Sequence, residues 1–272
     1  MAEPSRHESQ EVVVGSWAEL QDQMFEGSWQ PTIGRYRSTY AFRGMADASW
    51  APETSLQRMG GDFSRLEQHL IRAFRKYAYM EGGEHSSLWN LLAQAQHHGL
   101  PTRLLDWTYS PYVALHFVTD DVERSHLDGA IWCVDYKKTN LLLPQSLLAA
   151  LRREEANIFS TEMLETVAAT LPDFDGSSDD SFLVLFEPPS LGSRIINQFA
   201  LFSVLSSTGL GLHEWLRSHP DVYRRIVIPS DLKWEIRDKL DQANVNERVL
   251  FPGLDGLCRW LGRQYLPRPE KL

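Results

Sequence analysis

The stretch from Gln96 to Phe117, QHHGLPTRLLDWTYSPYVALHF, constrains this chain more than any other. Gly99 supplies the left-handed exit of a helix running from about Ser87 to His98, and Pro101 forbids its continuation. Ser110 is a good N-cap and Pro111 suits a first helical position, so a second helix starts there with Val113, Ala114 and Phe117 as its apolar stripe. The stretch therefore reads as a helix end, a turn and a helix start. A plain connector needs a glycine, a proline and a cap. This one also concentrates Gln96, His97, His98, Thr102, Arg103, Asp106 and Trp107, and loops held between rigid elements are where sites are built.

Around this stretch the pattern is mostly helical at first. Ser16-Trp17-Ala18-Glu19 and Ser64-Arg65-Leu66-Glu67 have capping-box form. Leu66, Leu70, Ile71, Phe74 and Ala78 then follow at helical spacing. Gly27 to Arg37 reads as loop, Ser38 to Gly44 as an aromatic strand and Gly129 to Val134 as a buried strand. Helices are expected at Pro144–Ala156 and Thr161–Leu171, with a solvated loop over Pro172–Ser181. Later segments have strand composition: Phe182–Phe186, Gln198–Leu205 and Tyr223–Ile228. Helices close the chain at Ser230–Ala243, with Leu232, Ile236 and Leu240 inward, and at Pro252–Tyr265. This segregation predicts an α+β fold with a largely helical N-terminal part. The polar start predicts a flexible segment over 1–15 and a single domain over 16–272.

A formal net charge of −9 argues against binding dominated by nucleic-acid phosphates. Cys133 and Cys258 form no Cys-x-x-Cys pair, so they read as core thiols in a reducing compartment. Neither a secretory leader nor a membrane span is visible, which leads to the expectation of a cytoplasmic protein.

Each candidate residue also has an ordinary structural reading. His97 and His98 fit a helix C-terminus, where the dipole favours a proton. Arg103 and Asp106 could simply pair, Trp107 could be core, and Ser110 is a cap first. A metal site built from His97, His98 and Asp106 is disfavoured, because adjacent histidines on a helix point in different directions. Arg43 carries a rigid fork of donors suited to phosphate, and Gly44 beside it lets a ligand approach the backbone. Arg194, Asn197 and Gln198 lie in an apolar run, where buried polar groups need partners.

Tyr40-Ala41-Phe42-Arg43-Gly44, Trp50, Arg58, Gln96 to Thr108, Ser110 to Phe117 and Arg194 to Phe202 together resemble the FRG domain family over roughly Ser38 to Leu205. The segment Phe251 to Leu257 is similar to the end of longer members. The family occurs in bacteria and phages, with a flavour of toxin or phage-defence modules. A more distant resemblance, to arginine-type ADP-ribosyltransferases, rests on Arg43-Gly44 and on Thr108-Tyr109-Ser110-Pro111 leading into Ala114 and Phe117.

That likeness implies a split sheet and NAD as substrate, cleaved at its glycosidic bond. In it Arg43 clamps a phosphate, Ser110 orients the nicotinamide ribose, and His97 or His98 contacts ribose hydroxyls or relays a proton. Asp106 positions that histidine or Arg103, Gln198 faces the ribose or acceptor, and Trp107 or Tyr109 stacks on a ring. Gly44, Thr102, Arg103 and Arg194 complete the cofactor-binding set. The implied partners are a protein or nucleic-acid acceptor and an antitoxin or regulator. The sequence departs from this pattern where a catalytic Glu is expected: it has Gln198, with Glu187 as a weaker substitute. Two alternatives follow, a non-catalytic module binding a nucleotide or protein, and a nuclease-type toxin using the His pair and Asp106.

Overall fold

A computed structural model describes residues 10–60, 63–78, 87–190 and 192–268. The chain enters through strand β1 (Glu11–Val13), helix α1 (Trp17–Phe25), a small hairpin of β2 (Trp29–Gln30) and β3 (Arg35–Tyr36), and β4 (Tyr40–Met45). Helices α2 (Ser55–Met59), α3 (Phe63–Tyr77) and α4 (Leu88–His97) lead to β5 (Leu105–Thr108) and α5 (Pro111–Thr119). Then come β6 (Gly129–Asp135), α6 (Tyr136–Asn140), α7 (Gln145–Arg153), β7 (Phe159–Ser160), α8 (Thr161–Val167) and α9 (Leu171–Asp175). The chain finishes with β8 (Leu183–Glu187), α10 (Ser193–Asn197), β9 (Ala200–Leu205), α11 (Leu212–Ser218), β10 (Tyr223–Ile228), α12 (Ser230–Gln242), α13 (Glu247–Leu250) and α14 (Leu254–Gln264).

Several ends are set by local chemistry. Ser16, Ser87 and Ser110 each accept a backbone N–H from the first turn of α1, α4 and α5. Gly99 takes φ +84° just past α4, a left-handed value that favours glycine. The Ser64 cap falls outside the described side chains. Thr170 caps α9 and Pro172 sits in its first turn, so the expected loop begins as a helix and the preceding helix stops at Val167.

Eight strands form one mixed sheet in the order β1-β10-β6-β4-β5-β9-β8-β7. The fold is thus α+β, but its strands are not confined to the later part of the chain: β4, β5 and β6 supply the middle of the sheet. Two expectations are corrected here. Residues 1–9 lie outside the described residues, yet Glu11–Val13 pairs in parallel with Arg225–Val227 and Val14 is fully buried, so the segment 1–15 is not wholly flexible. The stretch read as a turn after Pro101 contains the central strand β5.

The join between β4 and β5 is unlike its neighbours. β4 pairs with β6 along all six residues and β5 with β9 along all four, but β4 and β5 share one registered pair, Phe42 with Thr108. Continued, that register would set Arg43 opposite Trp107 and Gly44 opposite Asp106; the strands part instead. Side chains alternate across the sheet. Phe42, Ile131, Cys133 and Ile226 bury against α5 and α12 on one face, and beyond the seam Phe202 and Val204 pack under α4, α7 and α8. On the opposite face Ala41, Met45, Leu105 and Trp107 pack with Trp215 of α11.

Candidate functional site

Where β4 and β5 part, a cleft of about 330 Å³ opens between their edges. Arg43, Gly44 and Met45 line it from β4, Asp106, Trp107 and Thr108 from β5. The half-buried Arg43 spans the gap: its Nη1 donates to the backbone oxygen of Asp106 at 2.7 Å, in place of the ladder bond the diverging strands cannot make. Burial pushes the guanidinium pKa below its usual value, with Arg58 adding to that and Asp106 opposing it. Arg43 Nε is buried without a hydrogen-bond partner among the described residues.

The other walls come from α10 and the end of α5. Arg194 and Gln198 line the cleft from α10 and its C-cap; Phe117, Asp120 and Asp121 line it from α5 and just beyond. Thr108 ties the walls together, since its Oγ1 donates to the Gln198 backbone oxygen at 2.7 Å and accepts the Ser110 N–H at 3.0 Å. The Arg194 guanidinium stacks 4.9 Å from the Phe251 ring. Trp50 also lines the cleft, with Arg124 stacked 5.0 Å over it.

The predicted residues divide. Arg43, Asp106, Gln198 and Arg194 share the cleft, and Ser110 stands beside it as the cap of α5, its Oγ accepting the Val113 N–H. His97 and His98 lie outside its lining, edge to face with each other at 5.2 Å. His97 sits by Gly192 ahead of α10, where burial, His98 and Arg194 push its pKa down against Asp106.

Four roles change. Arg103 pairs with neither Asp106 nor the cleft: it is buried, with its fork closed on Glu67 at 2.6–2.9 Å and on Asp175 at 2.6 Å. Thr102 is buried and donates to Gln96 Oε1 at 2.6 Å, while Gln96 Nε2 donates to the Asp106 carboxylate at 2.8 Å, so this threonine fixes Asp106 through Gln96. Trp107 is core, its indole N–H bonded to Ser203 Oγ at 2.8 Å, and Tyr109 is packed on Tyr136 with its hydroxyl on Glu187. Gly44 serves the helix behind it: an added Cβ would stand 1.8 Å from the Ala114 carbonyl oxygen, so glycine lets α5 lie on β4.

Gln198 is not on a strand. It ends α10, two residues before β9, and its amide donates to the Leu250 carbonyl at 3.0 Å. Phe199 follows at φ +46°, an exposed residue in a costly conformation for a bulky side chain.

Sequence reasoning missed Asp120 and Asp121. The available signal was their place at the C-terminal end of α5, where two carboxylates oppose the helix dipole. Among the described residues no cluster of His, Cys, Asp and Glu could hold a metal ion, and no helix is long and apolar enough to cross a membrane.

This chain has an α+β fold built on a mixed sheet, with a cleft of polar and apolar lining at the central seam. Residues 38–126 match the FRG domain family, and the chain carries an FRG domain. No curated protein and no solved structure matches it. The matched segment contributes both lips of the cleft and the whole of α5, while Arg194 and Gln198 come from beyond it.

Proposed function

We propose that this FRG domain cleaves NAD at its glycosidic bond, as an ADP-ribosyltransferase or an NAD glycohydrolase. The observation that carries the reading is the seam: a sheet parted at its middle, with the arginine of Arg43-Gly44 reaching into the gap, Thr108 in its lining and Ser110 beside it. The cleft volume falls within the range of small-molecule sites, roughly 300–1,000 Å³. Arg43 has a guanidinium suited to a phosphate of the dinucleotide. Arg194 offers a second cation, and Trp50 and Phe117, rather than Trp107 or Tyr109, offer aromatic faces. The reading includes a toxin or phage-defence setting in the cytoplasm, a protein or nucleic-acid acceptor, and an antitoxin or regulator.

A second reading, a module that binds NAD or another nucleotide without cleaving it, draws on Gln198. That amide is neutral and spent on the Leu250 carbonyl, so it gives no charge to stabilise the ribose as nicotinamide leaves. Purified protein incubated with NAD, with and without cell extract as acceptor source, separates the two. Cleavage predicts nicotinamide release that falls roughly 10- to 100-fold in Arg43→Ala, the loss expected for a hydrogen-bonded charge contact. A thermal shift with NAD but no release selects the binding module; neither shift nor release removes NAD altogether.

A further inference from the structure

The cleft holds a carboxylate that the sequence pattern did not flag. Asp120 caps the C-terminus of α5 and lines the same cavity as Arg43. One helical turn earlier His116 is fully buried, with Nε2 standing 4.0 Å from Asp120 Oδ2. The tautomer follows from the far side of the ring. Arg237 Nη1 lies 2.9 Å from His116 Nδ1, and a guanidinium can only donate. Nδ1 is therefore the acceptor, and the imidazole proton sits on Nε2, facing Asp120. Nε2 makes no hydrogen bond among the described residues, so at 4.0 Å Asp120 is its electrostatic neighbour rather than a hydrogen-bond acceptor. Arg237 is itself held by Asp241 and Thr119.

The other carboxylates at the cleft are engaged. Asp106 accepts from Gln96, and Asp121 pairs with Arg124. Asp120 is left as the acid that meets the cavity with a backing group behind it.

We infer that Asp120 is the catalytic base of the cleft and that His116 is its positioning residue, in place of the carboxylate that Gln198 lacks. This rests on the reading of the site as NAD-cleaving. In the hydrolytic case the bond between ribose C1′ and the nicotinamide nitrogen breaks, and its electron pair stays with the nicotinamide. A bond forms between C1′ and a water oxygen, and the Asp120 carboxylate takes the water proton.

The surroundings suit that role. Burial, the Glu247 carboxylate on α13 and neighbouring Asp121 push the Asp120 pKa up to about 6, against Arg237 on α12. A base poised there is ionised at neutral pH yet still takes a proton.

The test measures nicotinamide release by Asp120→Asn, Asp120→Glu and His116→Gln across pH 5 to 8. Asp120→Asn is expected to lower release by about 100-fold or more while keeping the NAD-induced thermal shift. Asp120→Glu, which keeps the carboxylate and guards against a folding failure, is expected to retain measurable release and an acidic limb. His116→Gln is expected to keep release but displace that limb from about pH 6, a change that a purely structural role would not make. Release within two-fold of wild type in Asp120→Asn overturns the inference alone. No release by wild type overturns the reading of the site, and the inference with it.

Discussion

At the scale of single residues, burial has set His116 and Asp120 against each other. Burial and Arg237 push His116 down to about 3, so it stays neutral where the unfolded chain, near 6.5, takes up a proton. Its contribution to stability is present above 6.5 and lost as pH falls. Asp120 has the opposite sign: its folded value, about 6, lies above the ordinary 3.8, so ionising it in place costs stability as pH rises through 6. Each acts through one proton, at most about 1.4 kcal/mol per pH unit, so their effects oppose between about pH 6 and 4. Asp120→Asn removes one side of this balance. It is expected to be more stable than wild type at pH 8, with an advantage that shrinks as pH falls from 6 toward 4. Thermal unfolding of the two proteins at pH 8, 6 and 4.5 measures this; a gap constant across that range would contradict it.

At the scale of elements, the contact of α5 with β4 decides the cleft's shape. Gly44→Ala puts a methyl against backbone at Ala114, which cannot rotate away, and overpacking of this kind typically costs 1–3 kcal/mol. A lowered unfolding midpoint together with weaker NAD-induced stabilisation is the expected outcome, because α5 carries Asp120 and abuts Thr108. Helices α4 and α5 were legible in the sequence because caps and glycine exits are local: Ser87, Gly99, Ser110 and Pro111 each act within a turn, whereas the short α10 has no side-chain cap and was not. Nor was strand β5. It is four residues long, starts inside the Leu104-Leu105 pair, and owes its conformation to β9. The fates of Arg103 and Gln198 were hidden for the same reason, since Glu67, Asp175 and Leu250 are distant in sequence. The order of Arg43, Thr108 and Gln198 along the chain could be read, but their meeting at one seam depends on register.

At the scale of the molecule, the family match and the folding unit differ. Residues 38–126 contain β4 and β5, whose ladders run with β6 and β9 outside that segment. The C-terminal helices are equally bound in. Arg263 of α14 closes on Glu247 and Asp241 at 2.6–2.7 Å, and Arg237 of α12 holds His116. An isolated 38–126 fragment is therefore expected to show no cooperative thermal transition, whereas the full chain shows one; calorimetry on both decides it. The single Phe42–Thr108 pair has a mechanical consequence. A sheet is normally stiff because every backbone group along a strand is shared with the next, but here two plates meet at one stitch and one arginine strut. The compliance of this crease is therefore governed by a side chain. An anion that draws the Arg43 fork away from the Asp106 carbonyl fills the gap and loosens the hinge in the same act.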